Sequence, residues 1–148
     1  MALITLIRNL PAYCGTRGAI NTTTSTSMLF FFANTLLNAN NIVRTSASRL
    51  TFEEGGLFEV LIPFEVNCPP ATPATLHYGI NGTWTPIGTF TPGSNPGVYG
   101  HFNLVIDIPN NGYLEFKATS AANITSTLIG TGQGNVVSVT PNVVIRKI

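Results

Sequence analysis

Two stretches of the chain alternate apolar and polar side chains with a period of two. Within Gly55–Val66, Phe58, Val60, Ile62, Phe64 and Val66 share one face, and Glu59 and Glu65 the other. Within Gly97–Ile108, Val98, Phe102, Leu104 and Ile106 alternate with Tyr99, His101, Asn103 and Asp107. A period of two marks a β-strand with one buried face. Burying the five apolar side chains of the first stretch gains on the order of 10 kcal/mol before chain entropy is subtracted. Pro63 removes a backbone donor there and predicts a sheet edge or a bulge. Pro109–Gly112 reads as a turn, and its Asn111-Gly112 pair suits a tight primed hairpin. The return strand is Tyr113–Ala118, with Leu114 and Phe116 on one face and Glu115 and Lys117 on the other.

Shorter strands are predicted over 19–25, 28–33, 47–53, 74–80, 83–90, 135–140 and 142–148, and 123–129 is a further candidate. No stretch reads as a helix. The best candidate, 32–41, has Asn at its centre and end. Loops rich in Pro, Gly and small polar residues fall at Cys68–Pro73 and Pro92–Gly97. There is no internal repeat and no second domain. Roughly nine or ten short strands with a turn about every ten residues predict an all-β, single-domain jelly-roll β-sandwich. An extended N-terminal arm, residues 1–18, precedes the jelly-roll domain, residues 19–148.

The arm is apolar on both faces. Ala2, Ile4 and Leu6 point one way, and Leu3, Thr5 and Ile7 the other. Such a strand needs cover on both sides. Left in water it forgoes several kcal/mol of burial and invites aggregation. It can fold back as an outer strand of its own domain. It can instead pair with an adjacent subunit by strand addition, with Pro11 and Gly15–Gly18 as the hinge, or attach to a different protein. A head-to-tail contact that does not close generates a filament. Leu3, Ile4, Leu6 and Ile7 are the candidate contact residues. A classical secretory signal is not expected, because Arg8 follows the apolar run instead of preceding it. A lipoprotein signal needs a small residue before its cysteine, and Tyr13 precedes Cys14. No run approaches the roughly 20 apolar residues of a membrane helix.

Composition narrows the class. The 148 residues suit one domain. Hydrophobic residues make up 44% and charged residues only 9%, with a net charge of +1. A surface so weakly charged favours association. The seven Lys and Arg are scattered, so neither nucleic acid nor membrane insertion is expected. Cys14 and Cys68 are too few for a disulfide framework or a zinc site. They read as two unrelated thiols, as one internal bridge, or as a bridge between subunits.

Catalytic chemistry finds little material. His77 and His101 both fall in predicted strands. Glu53 and Glu54 sit together at a turn, and Asp107 is the sole aspartate, so a carboxylate-rich calcium loop is hard to build. Gly130–Gly134 lacks the Lys-Ser/Thr and helix of a phosphate loop. Glycosylation sequons occur at Asn21, Asn81 and Asn123, as expected by chance from this much Asn and Thr. Tyr78, Trp84 and Tyr99 are candidate aromatics for a sugar platform, or ordinary core and rim residues. No catalytic, cofactor-binding or metal residues are assigned, and no enzyme is expected.

Asn34–Val66 resembles the tumour necrosis factor and complement-globular-head superfamily. Leu50 and Phe52 match its short strand, and Gly56, Phe58 and Phe64 the alternating strand that follows. Asn81–Trp84, Val105–Thr119 and Val143–Ile148 resemble its exposed hairpin, its strand–turn–strand segment and its closing strand. The resemblance spans about residues 28–148 and is nearest to bacterial spore-surface and appendage proteins and phage fibre heads. It lacks the Ser-Gly-Phe ending of complement heads and any preceding Gly-X-Y stalk. It implies a two-sheet jelly roll and a trimer. The sequence thus points to a self-assembling structural subunit of an extracellular fibre or surface layer, on a bacterial spore. An anchoring surface protein would be a further partner. The alternatives are a virion spike, fibre-head or decoration protein, and a carbohydrate-binding adhesion head.

Overall fold

The computed structural model describes residues 11–15, 25–32, 35–37, 41–94, 97–128 and 143–148. Eleven strands lie among them: β1 (Pro11–Gly15), β2 (Ser25–Leu29), β3 (Thr35–Leu37), β4 (Ile42–Ser46), β5 (Arg49–Phe52), β6 (Gly56–Asn67), β7 (Ala74–Ile80), β8 (Thr83–Phe90), β9 (Gly97–Ile108), β10 (Gly112–Leu128) and β11 (Val143–Lys147). No helix occurs among the described residues.

The strands form two antiparallel layers. One runs β3-β1-β11-β6-β9. The other runs β4-β5-β10-β7-β8, with β2 beside β10 further along from β5. The 17-residue β10 serves both. Its first half lies in the second layer, and its Thr125–Leu128 end pairs with Asn67–Phe64 of β6 in the first. The two layers are therefore one curled sheet.

The faces follow the predicted alternation. Phe58, Val60, Ile62, Phe64 and Val66 are all buried. They meet Phe102, Ile106 and Ile108 of β9 and Leu114, Phe116 and Ala118 of β10 in one core. Phe102 of the first layer stacks on Phe116 of the second with ring centroids 4.4 Å apart. Phe64 lies 4.7 Å from Phe102, and Phe30 meets it edge-on at 5.4 Å. Phe52 and Phe58 make a second aromatic link between layers at 4.8 Å. Each such pair adds about 1 kcal/mol beyond the area it buries.

Strands β7, β8 and β9 keep the predicted limits. The strands predicted separately over 113–118 and 123–129 are one, β10. The predicted strand at 135–140 and most of that at 19–25 lie outside the described residues. Part of the weak helix candidate at 32–41 is β3. Strand β4 had no sequence signal of its own, because Ile42 and Val43 are followed at once by Arg44-Thr45-Ser46.

Two local expectations are corrected. Pro63 lies neither on an edge strand nor at a bulge. Strand β6 has β9 on one side, in unbroken register through Pro63 and His101. On its other side the described ladder with β11 ends at Leu61 and that with β10 begins at Phe64. Pro63 falls between these two partners, where a missing amide donor is tolerated. Nor does Asn111-Gly112 form a two-residue primed turn. Only Asn111 has positive φ, at 59°, and the Gly112 amide donates to the Pro109 carbonyl at 2.9 Å. Asn111 stands third in the turn, a left-handed position that Asn tolerates. The primed turn occurs instead at Asn81-Gly82, with φ of 53° and 82°.

Candidate assembly surface

The outer face of the first layer carries the side chains that β6, β9 and β11 turn away from the core. Leu57, Glu59 and Leu61 of β6 stand beside Asp107, Val105 and Asn103 of β9. Val144 and Arg146 of β11 stand opposite Leu61 and Glu59. Four large hydrophobic residues are strongly exposed among the described residues, and three of them lie here: Leu57 at 44%, Val105 at 60% and Ile148 at 65%. The Ile148 amide donates to the Leu57 carbonyl at 2.9 Å. Val105 is the diagonal neighbour of Leu57 across the β6–β9 pair. The three therefore gather at one end of one face. Scattered apolar side chains need no explanation, but a contiguous group marks a contact surface. The sequence reading missed it. Its signal was Leu57 and Val105, apolar residues on the phase that carries Glu59, Glu65, Asn103 and Asp107.

The outer face of the second layer is organised differently. Trp84 lies flat over Gly79, where an added Cβ would sit 2.8 Å from the ring. The Lys117 ammonium stands 4.3 Å from the ring centroid, a cation–π contact. Glu115 has the predicted outward phase but is buried. The β4–β5 turn covers it, with Ser48 Oγ donating to its carboxylate at 3.1 Å and Arg49 at 3.7 Å. Arg49 also lies over the Tyr113 ring at 3.9 Å. These contacts brace the layer.

The structure separates the predicted aromatic candidates. Tyr78 packs against the core, and Trp84, opposite Gly79, lies on the other face of the β7–β8 pair. Tyr99 is placed by its backbone alone, opposite Glu65. Cys14 lies in β1 with Val144 and Leu37 as backbone partners. Cys68 is free and buried, its Sγ 3.7 Å from the Thr72 carbonyl, and burial pushes its thiol pKa up. Leu3, Ile4, Leu6 and Ile7 lie outside the described residues. Pro11–Gly15, read from sequence as part of a hinged connector, forms β1 between β3 and β11. Glu53 and Glu54 are exposed. Glu54 accepts from Lys147 at 2.8 Å and Asn41 at 3.3 Å, and the Lys147 contact holds its carboxyl below the usual range. Among the described residues no cluster of His, Cys, Asp and Glu could hold a metal ion.

No family model matches the chain, and no curated protein matches it. Among solved structures it is similar to the Eiger tumour necrosis factor of S. frugiperda, with a TM-score of 0.53, 11% identity and 94% of both chains covered. The fold is a tumour necrosis factor-like jelly roll. At that identity the likeness speaks for architecture alone, which agrees with the fold implied by the sequence resemblance.

His77 provides a pH test of the second layer. It stands opposite Lys117, and burial, aided by the Lys117 charge, lowers its pKa. The unfolded chain therefore takes up a proton before the folded one does. Stability is full above the ordinary histidine value, about 6.5, and declines as pH falls below it. His77→Asn is expected to flatten the fall in urea midpoint between about pH 7.5 and about pH 5. Equal slopes in the two chains would remove His77 as a cause.

Proposed function

We propose that the protein is a non-enzymatic structural subunit that assembles with copies of itself. In this reading trimers, joined through the N-terminal arm, build an extracellular fibre, appendage or surface layer, and the surface of a bacterial spore is its setting. The observation that carries the reading is the uncovered apolar end of the first layer, formed by Leu57, Val105 and Ile148. Covering each of these side chains stabilises an assembly by on the order of 1 kcal/mol. The tumour necrosis factor-like fold is compatible with a structural or binding role. The low charge of the chain supports close packing of copies, since little repulsion opposes it.

Cys14 is the candidate for locking the joint between copies. Cys68 could take part only after its loop opens, because it is buried in its own protomer. The same architecture would serve a virion spike, with the arm anchored in the particle. A carbohydrate-binding head draws less support. Trp84 and Tyr78 do not share a face, and Trp84 is already held between Gly79 and Lys117.

Native mass spectrometry and negative-stain microscopy at micromolar concentration test the reading. The full chain is expected to give trimers and filaments, and a chain lacking residues 1–9, which keeps β1 (Pro11–Gly15), discrete particles. A full chain that stays monomeric with and without reductant would reject self-assembly.

A further inference from the structure

The strands that end the two layers are not protected alike. A free strand edge invites pairing, and proteins blunt it with proline, lysine, bulges or short length. Strand β8 carries Pro86 and a register shift at Leu76–His77. Strand β4 carries Arg44 and a register shift beside it. Strand β3 is three residues long. Strand β9 has none of these. It is 12 residues long, contains no Pro, Lys or Arg, and pairs with β6 in one unbroken register. Among the described residues no strand pairs with its other side.

We infer that the free edge of β9 is the acceptor for the N-terminal arm of a second copy of this chain, a proposal that rests on the arm-mediated assembly proposed above. Three observations select this occupant. Beside the edge, β9 offers an apolar side chain on each face, half-buried Leu104 toward the core and Val105, 60% exposed, toward solvent. A strand added there needs apolar residues on both of its own faces, and Met1–Ile7 has them. Arg8 is the only charged side chain of residues 1–10 and Asp107 the only acid of β9, and a parallel alignment that lays residues 1–7 along β9 brings the two together. The direction of β1 favours a neighbour's arm over the chain's own. Pro11 lies in one cross-sheet row with Arg146, Glu59 and Val105. From Pro11 the strand direction points past Ile148, and the β9 of the same copy lies three strands away. Continued straight, the chain leaves its own layer at the end where Leu57 and Ile148 stand.

Paired-cysteine cross-linking in the full chain tests this. Single cysteines replace residues 3 to 7, one at a time, in isotopically labelled protein, and Val105→Cys is made in unlabelled protein. Mixing and mild oxidation are expected to give a disulfide between an arm position and position 105 that joins labelled to unlabelled chains, read by peptide mass spectrometry. In parallel, the full-length double variant Ile4→Asp/Leu6→Asp is expected to lose filaments and remain folded by circular dichroism. If that variant loses filaments but no arm position links to 105, the β9 assignment is overturned and arm-mediated assembly stands. Filaments that survive the double variant overturn both. A chain carrying both cysteines that links only within itself also overturns the proposal, because its own arm is then the occupant.

Discussion

Phe102→Ala is expected to lower stability by about 4 kcal/mol. Phe102 is 1% exposed. Its ring touches Phe116 at 4.4 Å, Phe64 at 4.7 Å and Phe30 at 5.4 Å. Truncation removes a fully buried ring from the junction of the two layers. The neighbours cannot close the cavity, because each is fixed to its own strand. Three aromatic pairs are lost as well, each worth about 1 kcal/mol beyond its area. Against a typical total of about 5–15 kcal/mol, the change approaches the threshold of folding. Guanidinium unfolding gives the difference directly. Phe102→Leu keeps most of the volume but gives up the same ring contacts, and is expected to cost about 2 kcal/mol. Equal costs for the two variants would mean that the aromatic junction does not set the packing.

Gly55→Ala is expected to cost about 3 kcal/mol. An added Cβ would lie 2.4 Å from the Ile108 carbonyl oxygen and 2.5 Å from the Asn110 nitrogen and the Pro109 carbonyl carbon. All three atoms are backbone and cannot swing aside. Either the β5–β6 turn or the β9–β10 turn must move, and the 2.7 Å bond from the Gly55 amide to Asn110 Oδ1 goes with it. The control is Gly93→Ala in the loop after β8. A Cβ there meets nothing within 4 Å, and the change is expected to be near neutral. Thermal melting separates the two variants, and a neutral Gly55→Ala would show that the turns are not in contact.

Where alternation is long, the sequence reports the strand and its face together. Strand β6 has five buried side chains in strict alternation, and Gly97–Ile108 is recovered without error. Long-range pairing leaves no such mark. Nothing local in Asn123–Leu128 says that β10 runs on from the second layer to pair with β6. Nothing local in Pro63 says that two partner strands meet beside it. The contact surface was half legible, since Leu57 and Val105 are apolar residues on the phase that carries Glu59, Glu65, Asn103 and Asp107. Ile148 joins them only through its backbone bond to Leu57. Glu115 shows the opposite case. Its outward phase predicts solvent, but the turn carrying Ser48 and Arg49 closes over it, and strand periodicity is blind to what folds across a face.

Strand β10 has a mechanical consequence. Because one uninterrupted backbone is stitched into both layers, no seam separates them. Tension applied to either layer travels through covalent bonds and through hydrogen bonds loaded in shear. A pull on the folded chain is therefore opposed by both layers together.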